Sequence, residues 1–106
     1  MIKDLRVLDA LRAQGDDEHA SREVSHWAYF PDRQAADRFA DWLTAGGYRV
    51  SGVEQRSVQT EVRFTHVGTM VLEDITHHTI NIGRKASELN GDYDGWETSV
   101  EAKTAP

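Results

Sequence analysis

Gly91-Asp92-Tyr93-Asp94-Gly95-Trp96-Glu97-Thr98 couples a helix-stop glycine to a β segment that holds two aromatics and an interior glycine. Glycine in a strand forfeits side-chain packing and leaves the unfolded chain flexible. At such a position it marks a bulge, a bend or the close approach of another backbone. One reading is a structural corner, with Tyr93 and Trp96 packing the sheet around a bulge at Gly95. The other is a recognition edge, where aromatic anchors surrounded by charge form a docking hot spot. On the second reading Tyr93, Asp94, Trp96 and Glu97 are the partner-binding residues.

Upstream of this stretch, Leu72, Ile75, Thr79, Ile82, Ala86 and Leu89 recur three and four apart. That spacing predicts a helix closed by Asn90-Gly91, with Tyr93 to Val100 as the last strand. Further back, Glu23 to Phe30 alternates, with Val24, His26, Ala28 and Phe30 on one face and Ser25, Trp27 and Tyr29 on the other. Both faces are substantially apolar, so a central strand is expected. Pro31 ends it and Asp32 is placed to cap a helix carrying Ala36, Phe39, Ala40 and Leu43, which stops at Gly46-Gly47. Tyr48 to Val53 and Val58 to Val67 read as a hairpin turning at Glu54-Gln55-Arg56-Ser57. Val58, Thr60, Val62, Phe64 and His66 share one face of its second strand.

Ile2, Leu5, Leu8 and Leu11 predict a short amphipathic N-terminal helix, and Gln14 to Glu18 reads as a solvated acidic loop. The expected organisation is an N-terminal helix and acidic linker (1–21), a folded domain (22–100) and a polar tail (101–106). After the first helix the order is β, α, β, β, α, β. That order predicts an α+β, ferredoxin-like split βαβ fold (βαββαβ) with an additional N-terminal helix and both later helices on one sheet face. Trp27 and Tyr29 then lie on the opposite face, and Leu5, Leu8 and Leu11 are the internal candidates to cover them.

Eighteen acidic residues against twelve basic ones give a formal charge of -6. The average field therefore repels phosphate backbones, and no basic stripe offsets it. Cysteine is absent, which removes thiol nucleophiles and thiolate metal sites and agrees with a reducing cytoplasm. Charged residues near the N-terminus and the lack of an apolar run approaching ~20 residues predict a cytoplasmic protein with no membrane contact.

Five histidines raise the question of chemistry. His77 and His78 are adjacent on a helix and point about 100° apart, so they do not chelate one ion together. No metal and no cofactor are expected. His26 and His66 fall on the inner face of neighbouring strands. They are expected to be partly buried and hydrogen-bonded, or, with Asp94, to supply an acid and base. No serine sits in an elbow motif and no glycine-rich phosphate loop occurs, so catalysis is not expected. Trp27 and Tyr29 suit stacking on RNA bases, but the adjoining strand offers Glu61, Arg63 and Thr65 rather than further aromatics.

Val24-Ser25-His26-Trp27-Ala28-Tyr29-Phe30-Pro31-Asp32, the helix end Ala45-Gly46-Gly47-Tyr48, and Gly91 to Thr98 together resemble the regulator of ribonuclease E activity B (RraB-like) family. The resemblance spans roughly Arg22 to Val100, and its most specific part is Tyr93-Asp94-Gly95-Trp96. It implies a ferredoxin-like α+β domain without catalytic activity. It also implies a protein partner, the endoribonuclease that dominates bacterial RNA decay, restrained without contact to the RNA. Such proteins tend to carry a strongly acidic C-terminal extension, whereas this sequence continues past its last strand only with Glu101 to Pro106. The alternative reading is a small-molecule-binding or enzymatic ferredoxin-like protein with a pocket near His26 and His66.

Overall fold

A computed structural model describes the backbone of residues 2–102 and the side chains of residues 5–102. In chain order the elements are α1 (Ile2–Ala13), β1 (Arg22–Phe30), α2 (Arg33–Ala45), β2 (Arg49–Gln55), β3 (Thr60–Gly68), α3 (Leu72–Glu88) and β4 (Asp92–Thr98). The strands form one sheet in the order β2-β3-β1-β4, and each neighbouring pair is antiparallel. This is the ferredoxin-like βαββαβ arrangement with an additional N-terminal helix, as the element order predicts.

The core follows from the alternation of β1 and β3. Ala28 and Phe30 of β1 and Val62 and Phe64 of β3 point to one face, where they meet Ala36, Phe39 and Leu43 of α2 and Ile82 and Ala86 of α3. Burying each of the larger side chains contributes on the order of 1.5–3 kcal/mol, which orients both helices toward the sheet. Asp32 caps α2 as expected, its carboxylate accepting from the Ala35 N–H at 2.8 Å.

Both core helices stop by the same device. Gly47 (φ 87°) and Asn90 (φ 61°) turn left-handed. The N–H groups of Tyr48 and Gly91 then donate back to the carbonyls of Leu43 and Ala86 at 2.9 and 2.8 Å. The left-handed stop of α3 thus falls on Asn90. Gly91, expected to supply it, answers a different need, because a Cβ there would lie 2.3 Å from the Phe30 ring.

Three expectations are corrected. First, α1 does not cover Trp27 and Tyr29. Leu8 and Leu11 pack with Val24, Met70, Ile75 and Trp96 on the helix side of the sheet, and Leu5 is 45 % exposed; the side chain of Ile2 lies outside the described residues. Val24 at the start of β1 and Ile75 on α3 offer an apolar seat there. Second, the acidic loop is not wholly solvated, since Asp16 is buried in an ion pair with Arg22. Third, the β2–β3 hairpin reverses at 56–59, where the Arg56 N–H donates to the Gln59 carbonyl at 2.7 Å. Val58, assigned to the inner face, is 81 % exposed in that turn. The segment after β4 is held through Ala102, which bridges to Asp16, and through the Glu101 carbonyl, which accepts from the Asp17 N–H at 2.7 Å. The rest of the expected tail, 103–106, lies outside the described residues.

Candidate functional site

Register fixes which way the residues of the β4 stretch face. Opposite β1, His26 pairs with Trp96, Trp27 with Gly95 and Ala28 with Tyr93. Asp94 is the extra residue of a β-bulge, and Gly95 beside it takes φ 123°, a region that side chains disfavour. The bulge breaks the two-residue alternation, so Tyr93 and Trp96, three apart, both turn to the helix side. Trp96 is only 7 % exposed and packs with Leu8, Leu11 and Val24. Tyr93 bonds through its hydroxyl to His26 Nδ1 at 2.8 Å. Asp94 and Glu97, in contrast, are exposed.

The outer sheet face is uncovered by any described helix. Trp27 lies between Arg63 and Gly95, and Tyr29 between Glu61 and Asp92. The Tyr29 hydroxyl donates to Glu61 at 3.1 Å, and Glu61 also accepts from Arg56 at 3.2 Å and pairs with Arg63 at 3.4 Å. Burial, then the hydrogen bond to the Glu61 carboxylate, then the charges of Glu61 and Asp94 push the Tyr29 phenol above its ordinary pKa. Gly52 on β2 lets Arg63 lie across it, since a Cβ there would come within 2.9 Å of the guanidinium. Arg56 and Arg63 on this face are engaged by Glu54 and Glu61. Its β4 edge carries Asp92, Asp94 and Glu97. The result is a half-buried aromatic pair beside an acidic edge.

The inner face holds a second arrangement. His26 Nε2 meets His66 Nδ1 at 2.8 Å, the His66 ring stacks on His78 with centroids 3.9 Å apart, and His78 Nδ1 meets the Tyr48 hydroxyl at 2.5 Å. The expected pairing of buried, hydrogen-bonded His26 and His66 is therefore present, with Tyr93 rather than Asp94 as the outer partner of His26. The sequence reading missed Tyr48 and His78. The left-handed stop of α2 delivers the former, and the helical phase of α3 turns the latter inward. His77 instead faces Asn81 at 3.4 Å. Among the described residues no group of three His, Cys, Asp or Glu side chains is placed to hold a metal ion.

Burial, then the neighbouring His66 and His78, lowers the pKa of His26 to about 3; burial, then His78, lowers that of His66 to about 4. In the unfolded chain both titrate near ~6.5. Above that pH neither state binds the protons and stability is full. As pH falls below it the unfolded chain takes up protons that the folded protein refuses, so stability drops until the folded pKa values are reached. We expect a loss of about 1.4 kcal/mol per pH unit for each histidine between roughly pH 6 and 4. Urea unfolding across that range checks this, with His26→Phe expected to reduce the slope. A pH-independent midpoint would refute it.

The fold and the open face define a small ferredoxin-like α+β protein with one sheet face packed by helices and the other presenting aromatics and carboxylates. Among the described residues no helix is long and apolar enough to cross a membrane. The sequence profile of the family described as regulator of ribonuclease activity B matches residues 2–98, and the chain belongs to that family. Its members regulate ribonuclease activity. No curated protein matches the chain. A Thermus thermophilus protein of known crystal structure is similar at 20 % identity and a TM-score of 0.48, over 81 % of this chain and 12 % of that one. The present chain thus spans about an eighth of that protein's length.

Proposed function

We propose that this protein is a non-enzymatic regulator that binds an endoribonuclease in the cytoplasm and restrains RNA decay by protein-protein contact. The observation that carries the reading is the open sheet face, where Trp27 and Tyr29 stand beside the carboxylates of Asp92, Asp94 and Glu97. Half-buried aromatics are already held in place, so little side-chain entropy is lost on docking, and they suit an interface centre. The acidic edge and the net charge of -6 steer a basic segment of the nuclease onto the face and disfavour direct RNA contact. Of the four residues expected to meet a partner, Asp94 and Glu97 retain that role. Tyr93 and Trp96 serve it from below, by packing the bulge that presents Asp94. Restraint is then steric, through occlusion of the nuclease segment.

Titration of the purified protein into an endoribonuclease cleaving a labelled RNA tests this. Saturating protein is expected to slow cleavage. Trp27→Ala is expected to weaken binding about tenfold or more, as loss of a central aromatic does. Asp94→Lys with Glu97→Lys is expected to reduce the association rate and its salt dependence. Unchanged cleavage at saturating protein, or binding to the RNA alone at the same affinity, would overturn the proposal.

A further inference from the structure

The sequence holds two asparagines, Asn81 and Asn90. Asparagine is a chemically labile residue, and most so before glycine, whose backbone nitrogen has no neighbouring side chain to hinder its attack on the asparagine side-chain carbon. Asn90 precedes Gly91, whereas Asn81 precedes Ile82, a β-branched residue that crowds the same approach. Asn81 lies inside α3, while Asn90 lies past its end and is exposed.

The fold opposes the reaction that this dipeptide invites. Asn90 is held left-handed at φ 61°, its own N–H donates to the Ser87 carbonyl at 3.1 Å, and the Gly91 N–H donates to the Ala86 carbonyl at 2.8 Å. Before it attacks, the Gly91 nitrogen must lose the proton it shares with Ala86, and the Asn90 backbone must turn to bring Cγ onto it. Gly91 has no room to follow that turn, because it lies so close to the Phe30 ring and the Tyr29 carbonyl that even a Cβ would collide with both. Phe30 is buried, and β1 is paired on both sides. Reaction therefore requires the α3–β4 connection to leave the core.

We propose that Asn90 is a deamidation site which the left-handed stop of α3 keeps closed, so that the modification marks those molecules whose α3–β4 connection has opened. In the opened chain the Gly91 nitrogen gives up its proton to solvent and bonds to Asn90 Cγ. The Cγ–Nδ2 bond breaks, and the side-chain nitrogen takes up a proton and leaves as ammonia. Water then opens the five-membered imide at either carbonyl, giving aspartate or isoaspartate. Aspartate tolerates the left-handed conformation, so the stop re-forms around it. Isoaspartate carries an extra methylene in the main chain, and Gly91 then no longer both reaches the Ala86 carbonyl and sits against Phe30. In that form the mark is one-way.

The test is to incubate the full chain at mildly alkaline pH, with and without urea above its unfolding midpoint, and to follow ammonia loss by mass spectrometry in the tryptic fragments that hold Asn81 and Asn90. Asn90 is expected to deamidate at least about tenfold more slowly in the folded protein than in urea, the factor set by how rarely the connection opens. Urea below the midpoint is expected to raise the rate as the opened fraction grows. Phe30→Leu, which trims the ring against Gly91, is expected to speed deamidation of the folded protein without changing the rate in urea. After refolding, isoaspartate-containing chains are expected to unfold at lower urea than Asn90→Asp. Equal rates at Asn90 in folded and unfolded protein, or loss of ammonia from Asn81 as fast as from Asn90 in urea, would overturn the proposal. An isoaspartate form as stable as Asn90→Asp would overturn the one-way mark. If Phe30→Leu does not fold, the unmutated chain decides, and a rate that stays flat as urea approaches the midpoint counts against the closed stop.

Discussion

Arg22→Met is expected to cost about 3–5 kcal/mol of stability, because it strands a buried carboxylate. Arg22 opens β1, and its side chain and that of Asp16 are each 1 % exposed. The guanidinium donates to Asp16, to the carbonyls of Asp17 and Ala20 at 2.5 and 3.2 Å, and to the carbonyl of Ser99 at 3.2 Å. Asp16 also accepts from the Glu101 N–H at 2.9 Å. One cation therefore joins the segment after α1, the first residue of β1 and the chain after β4. Burial alone would raise the Asp16 pKa, but the hydrogen bonds from Arg22 and Glu101, with the Arg22 charge, outweigh it and leave it lowered. Removing the guanidinium leaves burial opposed only by the Glu101 N–H bond, so the carboxylate must either be solvated by opening the segment or take up a proton. Urea denaturation of Arg22→Met, Asp16→Leu and the double variant checks this. The double variant is expected to be less destabilised than the sum of the singles, since no uncompensated charge remains. A loss below about 1 kcal/mol for Arg22→Met would place the pair among surface bridges.

Gly91→Ala is the second large effect, at about 3 kcal/mol. The added Cβ would lie 2.3 and 2.4 Å from two carbons of the Phe30 ring and 2.9 Å from the Tyr29 carbonyl oxygen. Phe30 is buried and packed on Phe39 with centroids 4.7 Å apart, so it does not swing away. The Tyr29 carbonyl belongs to β1, which is paired on both sides. The clash is therefore relieved only by moving the α3–β4 connection off the core. Gly47→Ala is the control. Gly47 has φ 87° with nothing within 4 Å, so its cost is the left-handed backbone alone, about 1 kcal/mol. Thermal or urea unfolding that ranks Gly47→Ala as the more damaging would refute the close-approach account.

Much of the fold was legible because its signals are local. The alternation of Glu23 to Phe30, the Asp32 cap, the paired glycines after Ala45 and the three-four spacing from Leu72 to Leu89 all correspond to observed elements. The inner faces of β1 and β3 were also legible, and with them the meeting of His26 and His66. Val58 misled because its β propensity outweighed the reversal at 56–59, a turn closed by a hydrogen bond between main-chain groups. The acidic loop misled because composition predicts solvation, while Asp16 is buried only through an arginine six residues away and a backbone N–H from Glu101.

The candidate site was legible in part. Gly95 announced an irregular strand, and Asp94 and Glu97 stand exposed beside it. Which way Tyr93 and Trp96 face was decided by the inserted Asp94, since one extra residue inverts the parity of everything beyond it.

From sequence alone came the βαββαβ order, the family resemblance and the acidic balance, because spacing, caps and charge are properties of neighbouring residues. Only the tertiary structure decided that α1 packs beside α3, that Trp27 and Tyr29 face outward uncovered, and that Tyr93, His26, His66, His78 and Tyr48 form one chain. Those outcomes depend on register, bulges and helix phase, which bring together residues such as His26 and Tyr93, 67 positions apart, and leave no periodic trace in the sequence.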